Sequence, residues 1–76
     1  MTSKERILAW CRVTDKVMRE CKPGKRKRYE RFRLVKYEVK ACVVFGDQWG
    51  ERPLYQGDTW EEVEALMVAA GKLRES

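Results

Sequence analysis

Residues 21–33 read CKPGKRKRYERFR, seven basic side chains in thirteen positions against the single acid Glu30. Lysine and arginine at this density displace the counterions condensed on a phosphate backbone, so the chemistry on offer is polyanion binding. Tyr29 and Phe32 interleave with Arg28, Arg31 and Arg33. A ring among cations stacks on an unpaired base while its neighbours hold phosphate. The candidate contacts are therefore Lys25, Arg26, Lys27, Arg28, Tyr29, Arg31, Phe32, Arg33 and Lys36. Basic loops also keep small domains in solution, and Lys or Arg on an edge strand discourages sheet-to-sheet pairing.

The charge is segregated along the chain. Residues 22–40 hold nine Lys/Arg and two Glu, while residues 41–64 hold six acids and one Arg, within a total of +5. Two consecutive segments thus form a dipole. If the basic strand lies beside the acidic hairpin, part of this charge is used internally.

The residue types required for catalysis are scarce. There is no histidine, so the commonest general base is missing. Glu61, Glu62 and Glu64 stand where a helix start attracts negative charge in any case. The glycines, at 24, 46, 50, 57 and 71, are spaced as turn punctuation, with no phosphate-binding or nucleophile-elbow motif. The expectation is a binding protein with no cofactor and no metal, not an enzyme. Cys11, Cys21 and Cys42 lack C-x-x-C spacing, and the first two would lie ~15 Å apart along a helix, too far to bridge. They read as small buried hydrophobes in a reducing cytoplasm.

Seventy-six residues suit a single domain, 1–76, near the lower limit for one core. With 43% apolar residues, three Trp, three Tyr and two Phe, the chain is rich enough to fold. The first residues, MTSKERILAWCR, mix charge into apolar positions and offer no signal-peptide core. The longest apolar run, ALMVAAG, is about a third of the ~20 residues a membrane span needs.

Periodicity places the elements. Ile7, Trp10, Cys11, Thr14, Val17, Met18 and Cys21 share one face of a helix over 3–21. Thr2 and Glu5 have capping-box spacing, and Pro23-Gly24 marks the stop. Residues 29–45 are strand-like, but their alternation slips near 34–35. Either one long bulged strand or two strands joined by a turn accounts for that. GDQWG, 46–50, closes a hairpin onto ERPLYQ, whose Pro53 marks an edge strand. A second helix opens at Asp58 with Glu61, or Thr59 with Glu62, either pair at capping-box spacing, with Trp60, Val63, Leu66, Met67 and Ala70 as its buried stripe, ending at Gly71. The fold class is α+β, in the order α-β-(β)-β-α: a small antiparallel sheet of two or three strands with two helices on one face.

That order and length resemble the double-stranded-RNA-binding domains. The resemblance implies phosphate contacts at the start of the last helix, but here that site reads Asp58, Thr59, Trp60, Glu61, Glu62, which repels phosphate. The run WGERPLYQGDTWEEVEAL is similar to the sheet-plus-helix of phage integrase arm-binding domains. In size and lack of catalytic residues the chain also resembles phage accessory proteins such as anti-CRISPR proteins, which block a host protein or nucleoprotein complex.

Two partners follow. One is DNA or RNA, held at its phosphates by segment 22–40. The other is a host nucleic-acid-handling protein, with Glu61, Glu62 and Glu64 imitating phosphates. Trp49, in a Gly-flanked turn, is a candidate anchor for a partner; alternatively it folds back over the sheet. A homodimer through the open sheet face or the Pro53 edge is compatible with either.

Overall fold

The computed structural model describes residues 1–21 and 29–75. Lys25, Arg26, Lys27 and Arg28, and the Pro23-Gly24 stop, lie outside the described residues. The elements are α1 (Ser3–Cys21), β1 (Arg31–Tyr37), β2 (Lys40–Asp47), β3 (Gly50–Gly57) and α2 (Trp60–Ala69). The three strands form one antiparallel sheet in the order β1-β2-β3.

Local chemistry starts both helices. At α1 the Glu5 amide donates to Thr2 Oγ1 and the Thr2 amide donates to Glu5 Oε1, both at 3.2 Å. These contacts satisfy donors that the first turn leaves without a partner. At α2 the Thr59 hydroxyl accepts from the Glu62 amide, 3.2 Å, and the Glu62 carboxylate accepts from the Asp58 amide, 2.9 Å. The far end of α2 closes with Lys72 N–H on the Met67 carbonyl, 2.8 Å, and Gly71 N–H on the Val68 carbonyl, 3.0 Å. With Gly71 at φ +75°, this is a Schellman stop.

The stretch 29–45 is two strands, not one bulged strand. Tyr37 pairs with Lys40, so Glu38 and Val39 make the turn, and Glu38 takes the left-handed φ of 51°. The register explains the apparent phase slip. Phe32 pairs with Phe45 and Leu34 with Val43, so even residues of β1 share a face with odd residues of β2. A change of parity is what a two-residue hairpin turn produces, and the turn lies at 38–39 rather than at 34–35. A bulge does occur, but between β2 and β3, where the register shifts at Val43/Val44. Pro53 sits there, on an edge strand, where its missing N–H costs no ladder bond.

One face of the sheet carries the core. Ile7 and Cys11 of α1, Val63 and Met67 of α2, and Ala41 and Val43 of β2 are enclosed together. Burying each of Ile7, Val43, Val63 and Met67 contributes ~1.5–3 kcal/mol of hydrophobic stabilisation. Trp10, Phe32, Leu34, Tyr55, Trp60 and Leu73 pack around them. Phe32 meets Trp10 edge-on, with centroids 5.2 Å apart, and Phe45 at 5.0 Å. Arg6 of α1 pairs with Glu64 of α2 at 3.0 Å and donates to the Arg74 carbonyl.

Four expected core positions are corrected. Val17 and Cys21 are exposed, about two and three turns beyond the enclosed Cys11. Leu66 and Ala70 of the second stripe are also exposed. The buried seam of α2 is the single i, i+4 pair Val63 and Met67, narrower than the amphipathic arc suggests. Of the three thiols, Cys11 and Cys42 are buried and Cys21 is not.

Candidate functional site

Neither described helix packs on the other face of the sheet, and the register specifies its side chains. Arg31, Gly46 and Glu51 form one cross-strand row; Arg33, Val44 and Pro53 form the next; Val35, Cys42 and Gln56 form a third. Strand alternation puts all three rows on one side. Cys42 and Val44 are buried despite lying away from the helices, flanked in register by the edge-strand residues.

Gly46 shapes this surface by lacking a side chain. A Cβ at that position would stand 3.1 Å from Glu51 Cγ, so the Glu51 side chain runs across the central strand over the gap. Its two carboxylate oxygens accept hydrogen bonds from Nε and Nη2 of Arg33 on the far edge strand. The hydrogen bonds from Arg33, more than its charge, hold the Glu51 carboxyl below the usual carboxylate range. The same contact raises the Arg33 guanidinium. Arg31, exposed on the adjacent row, has no ion pair among the described residues.

The β2–β3 turn rises beside these residues. Asp47 pairs with Gly50, leaving Gln48 and Trp49 as a two-residue loop. The Trp49 amide donates to Asp47 Oδ1 at 2.9 Å, an Asx contact that favours a turn. Gly50 completes it at φ +137°, a conformation that side-chain-bearing residues avoid. Trp49 is 82% exposed. Across the gap, the Tyr29 hydroxyl donates to Gln48 Oε1, which ties the chain entering β1 to this loop.

A groove of about 490 Å³ results, lined by Tyr29, Arg31, Arg33, Gly46, Asp47, Gln48, Trp49, Gly50 and Glu51. Of the residues singled out in the sequence, it gathers Tyr29, Arg31, Arg33 and Trp49. It leaves out two. Phe32 lies among the core aromatics on the opposite face, so it is not a stacking residue. Lys36 pairs with Ala41, which places it on the helix-bearing side. Sequence reading missed Gly46, Asp47, Gln48 and Glu51. Gly46 and Glu51 follow from counting outward from a two-residue Gln48-Trp49 turn; nothing local links Gln48 to Tyr29.

The acids of α2 are largely committed elsewhere. Glu64 pairs with Arg6, and Glu62 caps the helix, so a phosphate-imitating row over 61–64 loses two members. The Cys11 thiol is pushed up to about 11, by burial first and the nearby Asp15 carboxylate second, so it stays protonated at neutral pH. Among the described residues, no group of three or more His, Cys, Asp or Glu is placed to hold a metal ion. Nor is any described helix long and apolar enough to cross a membrane. No protein-family model, curated protein or solved structure matches the chain.

Proposed function

We propose that this chain is a small non-enzymatic nucleic-acid-binding protein that contacts the phosphate backbone through its basic segment 22–40. The observation carrying this reading is the convergence of Arg31, Arg33, Tyr29 and Trp49 on one exposed groove. Chain continuity supplies the rest of the charge, because Tyr29 follows directly on the KRKR run. Cations release counterions from phosphate, and that release gives affinity without sequence information.

The test is fluorescence anisotropy with labelled duplex and single-stranded DNA and RNA across a salt series. Affinity should fall steeply with salt, and Arg31→Ala should weaken binding uniformly across sequences while making the salt slope shallower by about one phosphate contact. Absence of binding to every probe at low salt rejects the proposal.

The exposure of Trp49 at a turn tip favours a second reading: a phage-type inhibitor or adaptor that anchors on a host nucleic-acid-handling protein. A pull-down from nuclease-treated lysate separates the two. A stoichiometric protein lost on Trp49→Ala supports the adaptor, and recovery that depends on nucleic acid supports direct binding.

A further inference from the structure

We infer that the groove beside the β2–β3 turn is a single-strand site, in which an unpaired base stacks on Trp49 while Arg31 holds an adjacent phosphate. The inference rests on the nucleic-acid reading above and narrows its partner to unpaired DNA or RNA.

Three observations lead to it. Trp49 projects from a two-residue turn at 82% exposure. A large apolar ring in that position has an accessible face, as stacking on a base requires. Tyr29 and Arg31 line the same groove, so an aromatic surface and a cation that makes no ion pair among the described residues lie at one place. The groove walls also carry hydrogen-bonding edges, from the Gln48 amide and the Asp47 and Glu51 carboxylates. A base presents donors and acceptors to such groups when its pairing edge is not already used by a complementary strand.

A duplex fits this arrangement poorly. Its bases are stacked and paired, so Trp49 would have to unstack a step before making contact, which costs a few kcal/mol.

The experiment compares three probes at one salt concentration: a dT12 or U12 oligonucleotide, a twelve-base-pair duplex, and heparin, a polyanion with no bases. The proteins are the natural chain, Trp49→Ala, Trp49→Phe and Arg31→Ala, each checked by circular dichroism. The single strand should bind at least about tenfold more tightly than the duplex. Trp49→Ala should lower single-strand affinity roughly ten- to a hundredfold and leave heparin binding unchanged, with Trp49→Phe in between. Tryptophan fluorescence should be quenched by the oligonucleotide and not by heparin.

Equal, salt-sensitive binding of duplex and single strand, or a Trp49→Ala variant with undiminished single-strand affinity, overturns this inference and leaves backbone binding standing. Failure of every nucleic-acid probe overturns both. Loss of a nuclease-resistant protein partner on Trp49→Ala, with nucleic-acid binding intact, assigns the ring to a protein surface and also overturns it.

Discussion

Arg33 and Glu51 sit on the two outer strands and meet across the central one, because the central-strand residue in Glu51's row is Gly46, which has no side chain to block the way. One basic side chain of the cluster is therefore neutralised by the acidic hairpin. The sequence dipole is partly closed within the fold, and Arg31 rather than Arg33 is the cation offered outward.

Releasing Arg33 should strengthen polyanion binding. Glu51→Gln removes the carboxylate that competes with phosphate for the guanidinium and adds one unit to the net charge of +5. Affinity for single-stranded oligonucleotides should rise, and the salt dependence should steepen by about one contact. Anisotropy titrations at several salt concentrations read both. An unchanged slope would place Arg33 outside the binding surface.

The same pair has a pH signature. The Glu51 carboxyl is depressed by its hydrogen bonds to Arg33, so the folded state holds this proton more weakly than the unfolded chain. Any stabilisation is fully present above the ordinary carboxylate range and is lost as pH falls through the depressed value. Carboxyl NMR titration should find Glu51 below the ordinary glutamate value, and Arg33→Ala should restore it. Gly46→Ala should restore it too, by pushing the Glu51 side chain aside.

The three thiols should separate cleanly. In the native protein a thiol reagent should modify Cys21 and spare Cys11 and Cys42, which react only on unfolding. With its thiol raised to about 11, Cys11 stays protonated in the fold while the unfolded chain ionises from about pH 8.5. Stability from this group is present below that value and declines as pH rises. Denaturant melts at pH 7 and 9.5 should show the decline, and Cys11→Ala should flatten it.

Adjacent residues of α2 should differ sharply. Met67 is fully enclosed and Leu66 is 47% exposed. Met67→Ala should cost about 2–5 kcal/mol through lost burial and the cavity left behind. Leu66→Ala should cost about 0.5 kcal/mol or less. Urea unfolding of the two variants measures the contrast.

The β1–β2 turn offers a stabilising change. Glu38 holds φ 51°, a left-handed conformation costing ~1–2 kcal/mol for a residue with a side chain. Glycine adopts it without that penalty but gives back ~0.5–1 kcal/mol in chain entropy. Glu38→Gly should raise stability by about 0.5–1 kcal/mol in the same unfolding assay, and a destabilised variant would show that the side chain makes a compensating contact.

How far this architecture could be read in advance depended on the range of the interactions. The bounds of α1, the Thr2–Glu5 cap, the Gly71 stop and the edge position of Pro53 were legible, because each is set by residues within a few positions; the choice of Thr59–Glu62 over Asp58–Glu61 fell to the fold. The turn at Glu38-Val39 was obscured because hairpin pairing reverses parity, and the reversal fitted either a bulge or a turn near 34–35. Among the expected contacts, Phe32 and Arg33 are neighbours in sequence, and alternation alone left open which of them faced the helices.

By itself, then, the sequence determined an α+β chain in the order α-β-(β)-β-α, the helix ends and the separation of charge into a basic and an acidic segment. Those follow from local propensity, capping and composition. The tertiary structure decided that Phe32 packs against Trp10, that Glu51 reaches Arg33 over Gly46, and that Tyr29, Arg31 and Trp49 share a groove. Each of these is a relation between strands or between layers, set by register and by the face on which the helices dock, and such a relation has no signature within a single stretch of chain.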